Sequence, residues 1–153
     1  MRSLLFVCHA PSENTARLRD VAATAVTGLG LDNLALIVKS SPETEADDVR
    51  ACDGILIGTT ENFGYMAGLT KDFFERIYYP CLESKQGLPA ALYIKAGEDG
   101  RGTRAAVGKI VTGLRWKYVS EPLILRGQYR EEFEGQVSEL AMTLAAGLDA
   151  GIY

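Results

Sequence analysis

Apolar residues along this chain follow two rhythms. Unbroken runs of strand length alternate with stretches in which apolar positions recur every three or four residues. The first run, Leu4-Leu5-Phe6-Val7-Cys8, has the continuous character of a strand buried on both faces. The stretch after it places Leu18, Val21, Ala22, Ala25 and Leu29 on one helical face, with Gly28 and Gly30 near the end. Leu34 to Val38 predicts the second strand. Ser41-Pro42-Glu43 reads as an N-cap, a proline at the first helical position and an early acid, opening a short helix that ends near Cys52. A third apolar run begins at Gly54 and breaks into a polar, glycine-containing loop. Helical spacing resumes at Met66, Leu69, Phe73 and Ile77. Ala91 to Ile94 predicts the fourth strand, and Val107, Ile110, Val111 and Leu114 mark the helix after it. Tyr118 to Leu125 predicts the fifth strand. The last helix carries Phe133, Val137, Leu140, Ala141, Leu144 and Leu148 on one stripe.

Five strands alternating with five helices argue for one α/β domain over residues 1–153, a three-layer sandwich with a parallel sheet between helices. Pro122 falls inside the fifth strand and assigns that strand to a sheet edge. In open parallel sheets ligands bind beyond the carboxyl ends of the strands, where the strand order reverses. The loops after strands 1, 3 and 4 are therefore expected to converge. They are also the loops of unusual composition.

Composition narrows the classes. The chain has 153 residues, 47% of them hydrophobic, enough for one sizeable core. A net charge of −4 gives no reason to expect nucleic acid or an anionic membrane as partner. Cys8, Cys52 and Cys81 are odd in number and form no CxxC pair, which reads as reduced thiols in a cytoplasm. Leu4 to Cys8 is too short for a signal peptide or membrane span. No cluster has metal-ligand spacing.

The chemistry sits in the loops. Ser12, Asn14 and Thr15 stand at a helix start, where free N–H groups and the helix dipole favour an anion. The same residue types also serve as an ordinary cap. His9, the only histidine, is either a polar loop residue or a ligand contact. In the loop Thr59-Thr60-Glu61-Asn62-Phe63-Gly64, the glycine lets backbone approach a flat ligand, and Phe63 or Tyr65 can lie against it. The loop Ala96-Gly97-Glu98-Asp99-Gly100-Arg101-Gly102 is glycine-rich and without an aromatic. It suits either close backbone approach to a ring system or a flexible turn. Arg101 or Arg104 would neutralise a nicotinamide cofactor's phosphate if one reached them.

Thr59, Phe63, Gly64, Met66, Lys71 and Phe73 resemble the loop and helix motif Thr/Ser-Pro-x-x-aromatic-Gly-x-Met, then Lys-x-Phe, of the flavodoxin-like superfamily. The resemblance is closest to NAD(P)H-dependent FMN reductases and tryptophan-repressor-binding-protein-like quinone reductases, with Thr60 in place of the usual proline. It implies strand order 2-1-3-4-5 and non-covalent FMN, its phosphate on Ser12, Asn14 and Thr15. His9, Thr59 to Gly64, Ala96, Gly97, Glu98 and Gly100 would surround the remainder. It further implies NADH or NADPH as co-substrate and a small-molecule electron acceptor such as a quinone or flavin, and it leaves room for a homodimer. The cofactor carries the redox chemistry, so no side chain is assigned as catalytic. A flavodoxin-type electron carrier and a flavin-free interaction module are the alternatives. The aromatic-free third loop favours a reductase, since it leaves one ring face open. The start Leu4 to Cys8 also resembles low-molecular-weight tyrosine phosphatases. Those enzymes need an arginine where this chain has Asn14, and an Asp-Pro pair that is absent.

Overall fold

The computed structural model describes residues 1–153. Strands β1 (Arg2–Cys8), β2 (Leu34–Ser40), β3 (Gly54–Asn62) and β5 (Pro89–Ala96) lie parallel in the order β2-β1-β3-β5. The fifth position is filled by two short strands, β6 (Lys117–Tyr118) and β7 (Leu123–Arg126), both parallel to β5. The two-residue strand β4 (Tyr65–Met66) folds back antiparallel on the end of β3. Strand alternation divides the core. Leu4, Phe6, Cys8 and Leu56 face α1 (Glu13–Gly28) and α5 (Glu131–Asp149). Leu5, Val7, Ile55 and Ile57 face α2 (Ala46–Ala51), α3 (Gly68–Cys81) and α4 (Arg101–Leu114). This is the expected sandwich in the expected order, and all six residues of the α5 stripe are buried.

Several boundaries differ from the sequence reading, each for a physical reason. The helix expected to open at Ser41-Pro42-Glu43 begins at Ala46 instead. Arg76 on α3 donates to the carbonyls of Ser41 and Thr44 and holds this segment as a turn. Glu45 is the cap, in a reciprocal arrangement with Asp48. Met66 belongs to β4, not to the helix. It still enters the core, because pairing with Glu61 turns it inward. Leu69, placed on the same apolar face by spacing, is half-exposed. In α1 the buried stripe runs Thr15, Leu18, Ala22, Val26, while Leu29 faces solvent. The fifth strand is not continuous through Pro122; the proline lies in the break between β6 and β7. β2 is an edge strand, and α2 is only six residues long, so Ile37 and Val38 stay partly exposed.

Candidate ligand site at the strand ends

The carboxyl ends of β1, β3 and β5 lie together, since Cys8 pairs with Gly58 and Thr60 with Lys95. The His9 N–H donates to the Gly58 carbonyl at 2.9 Å and ties the first loop to β3. Its imidazole is half-buried, and that burial lowers its pKa.

The loop after β1 closes on itself. Ser12 caps α1: the Thr15 N–H donates to Ser12 Oγ at 3.2 Å, and the Ser12 N–H donates to Thr15 Oγ1 at 2.9 Å. Thr15 Oγ1 in turn donates to the Ser12 carbonyl at 3.1 Å, and the two hydroxyl oxygens lie 2.9 Å apart. Thr15 is buried, while Ser12 and Asn14 are exposed. The N–H groups of Glu13 and Asn14, in the first turn, have no intrahelical acceptor.

The segment after β3 behaves differently. Thr59 to Asn62, loop in the sequence reading, continue the strand. Thr59 points to the α3 side, where its hydroxyl lies 2.7 Å from that of Thr70. Thr60 Oγ1 donates to Asn62 Oδ1 at 3.1 Å. Phe63 and Gly64 form a two-residue hairpin turn with φ of 55° and 76°. Positive φ at both central residues is the hairpin pattern that matches strand twist. For phenylalanine it is a strained choice, of order 1 kcal/mol. Burial does not repay it, because Phe63 is fully exposed. Two residues before the turn, Glu61 Oε2 is buried with no hydrogen-bond partner. The tip rests on α4, where a side chain on Gly102 would strike the Gly64 carbonyl.

The loop after β5 is held by groups that sequence reading passed over. Lys95 Nζ donates to the carbonyls of Ala96 and Gly127 at 2.9 and 2.7 Å, and Arg126 Nε donates to the Asp99 carbonyl at 2.6 Å. The Asp99 carboxylate accepts from the Arg101 side chain, which holds its pKa below the usual range. Gly100 caps α4 at φ 82°, and a Cβ there would run into Ile124. Ala96 is buried, whereas Gly97 and Glu98 are exposed. The only sequence signals for this bracing were a lysine near the end of an apolar strand and a glycine after β7.

Cys8 is not poised as a nucleophile. It lies 3.3 Å from the Tyr93 hydroxyl in the core, and burial pushes its thiol up to about 11. The larger surface depressions are elsewhere, on the outer face of α1 around Arg17 and Thr24 and at the sheet edge beside α4. None of these larger depressions lies at the strand ends, where Phe63 projects fully exposed. No helix is long and apolar enough to cross a membrane.

The fold is a flavodoxin-like α/β sandwich. A flavodoxin from the domain Archaea superposes with a TM-score of 0.80 at 14% identity, over 95% of this chain and 98% of that one. The two-electron reduced flavodoxin of Megasphaera elsdenii gives a TM-score of 0.76 at 16% identity, over 94% and 98% of the two chains. An NADH:FMN oxidoreductase in its apo form gives 0.74 at 14% identity, over 96% and 90%. These likenesses are of fold. No protein-family model and no curated protein matches the sequence.

Proposed function

We propose that this chain binds FMN non-covalently at the ends of β1, β3 and β5 and acts as an NAD(P)H-dependent oxidoreductase. The observation that carries the reading is the hairpin: a strained, fully exposed Phe63 two residues along the chain from a buried, unpartnered Glu61 oxygen. Each costs the ligand-free fold stability, and a flat ring with a polar N–H edge would answer both. The remaining residues fit the same group. The open N–H groups of Glu13 and Asn14, with the α1 dipole, suit a phosphate. Ser12 keeps a hydroxyl hydrogen to offer, since Thr15 Oγ1 can give its own to the Ser12 carbonyl. Gly97 and Gly100 let backbone approach the ring. When bound, FMN supplies two-electron redox chemistry. The loop from Ala96 to Gly102 carries no aromatic and so leaves one ring face accessible to a nicotinamide and then to a small-molecule acceptor.

A second reading, a one-electron carrier, draws support from the flavodoxins among the structural neighbours. Anaerobic mixing of FMN-loaded protein with NADH and, separately, NADPH divides the two. Rapid bleaching of the flavin absorbance by either nucleotide is expected. No bleaching by either would leave the carrier.

A further inference from the structure

Strand β2 closes the sheet on the β1 side and has no neighbour beyond it. Its parallel pairing aligns Arg2 with Leu34, and the Arg2 N–H donates to the Asn33 carbonyl at 3.2 Å. Along a paired strand, alternate residues turn their backbone groups the same way. Asn33, Ala35 and Ile37 therefore face β1, and the N–H and C=O groups of Leu34, Leu36 and Val38 point out of the sheet. No turn or loop backbone group bonds them. Natural edges are commonly guarded by proline, a bulge or an outward charge. The stretch Leu34-Ala35-Leu36-Ile37-Val38 has no proline or charge, and its register with β1 runs without a bulge. The next residue, Lys39, has its ammonium drawn back to Asp48 at 2.9 Å.

Both faces of this edge carry apolar surface. On the α1 side Leu34 and Leu36 line a groove of about 270 Å³ with Val26 and Leu31, and Val38 stands 40% exposed beyond it. On the α2 side Ile37 is 41% exposed, and Ala35 beside it is small. A second copy of the strand fits this pattern when it runs antiparallel about Leu36. Outward backbone groups then meet outward groups: Leu36 lies opposite the partner's Leu36, and Leu34 opposite the partner's Val38. Such pairs exchange two hydrogen bonds each. Ile37 falls opposite the partner's Ala35, large against small, and Val38 reaches the groove beside the partner's Leu34. All these pairs are apolar. Slipping the strands by two residues sets Lys39 against Ala35 or Asp32 against Val38, so the apolar match fixes the register.

We propose that two copies of this chain pair along β2 into a symmetric dimer with one continuous sheet. The occupant is a second copy rather than a foreign strand, because one stretch supplies the exposed side chains and also the small residue and groove that receive them. An antiparallel pair about a two-fold axis closes on itself, whereas a head-to-tail contact need not. One strand pair makes a small interface, so exchange between dimer and monomer at roughly micromolar concentration is expected.

Sedimentation equilibrium of the full chain from about 1 to about 200 μM tests the pairing. The mass should climb from 16.6 kDa toward twice that value. Val38→Lys places a charge at the groove of the other copy, and the position is exposed enough to leave the monomer folded. It should raise the dissociation constant at least about tenfold. The register is read by the double variant Ala35→Cys with Ile37→Cys. These positions face each other across the two-fold axis, about 4.5 Å apart between Cα atoms, so mild oxidation should give a covalent dimer that a reductant reverses. The wild-type thiols Cys8, Cys52 and Cys81 are buried, and wild-type protein serves as the control. A single-chain mass at about 200 μM, a dimer that Val38→Lys leaves untouched, or a dimer that gives no cross-link overturns the proposal. A chain that stays monomeric yet binds a labelled extended peptide of other sequence also overturns it, and gives the edge to a foreign strand. None of these measurements depends on flavin.

Discussion

The loop after β1 and the hairpin after β3 stand on neighbouring strands at one end of the sheet, and they treat their polar groups in opposite ways. In the first, Ser12 and Thr15 satisfy each other through a reciprocal capping box. The second leaves a carboxylate oxygen buried without a donor and holds an exposed phenylalanine at positive φ. The lesson concerns what counts as a sign of a ligand. Ser, Thr and Asn at a helix start are explained by the helix alone. A feature that costs the fold stability and gains nothing within it is not explained by the fold.

The hairpin is the more breakable of the two. Gly102→Ala drives a methyl into the Gly64 carbonyl. It should cost about 1–3 kcal/mol in denaturant unfolding and displace the turn, while the β1 loop stays intact. An unchanged midpoint would mean that the hairpin does not rest on α4. The double change Ser12→Ala with Thr15→Ala removes the capping box and should cost about 0.5–2 kcal/mol. Its second readout sharpens the contrast: FMN affinity should fall at least about tenfold, with riboflavin losing much less. Equal losses for both ligands would make this loop a cap and nothing more.

Two smaller effects should separate the fold from the ligand. Glu61→Met removes the unpaired buried oxygen and should raise the ligand-free unfolding free energy by about 1 kcal/mol, while weakening flavin. A destabilised ligand-free protein would show that Glu61 is already satisfied. Phe63→Gly exchanges a strained residue for one at ease with positive φ and loses no buried surface. Ligand-free stability should stay within about 0.5 kcal/mol, while flavin affinity drops roughly three- to tenfold. Unchanged affinity would move the ring contact to Tyr65.

The alternation of unbroken apolar runs and helical stripes made the layer order legible, because the central stretches of β1, β3 and β5 are buried on both faces and are apolar. The α5 stripe was legible for the same reason. Less local effects were not. The start of α2 is decided by Arg76, which lies far along the chain and claims the Ser41 and Thr44 carbonyls. The β3 hairpin read as loop because its turn is a Phe-Gly pair rather than the usual Asn-Gly or Asp-Gly. Among the candidate residues, sequence pointed to strand ends that the fold brings together but could not say which way a side chain faces. Thr59 turns toward Thr70, whereas Thr60 bonds Asn62. The bracing of the third loop by Lys95 and Arg126 is a tertiary matter with almost no local signature.

The claim that the hairpin's unreturned costs mark a flavin site is tested most directly by reconstitution. The full chain is incubated with excess FMN and desalted, and retained flavin is counted by its visible absorbance. Near-stoichiometric yellow protein with quenched flavin fluorescence is the predicted result. A colourless protein that also gives no calorimetric heat with FMN would contradict the account.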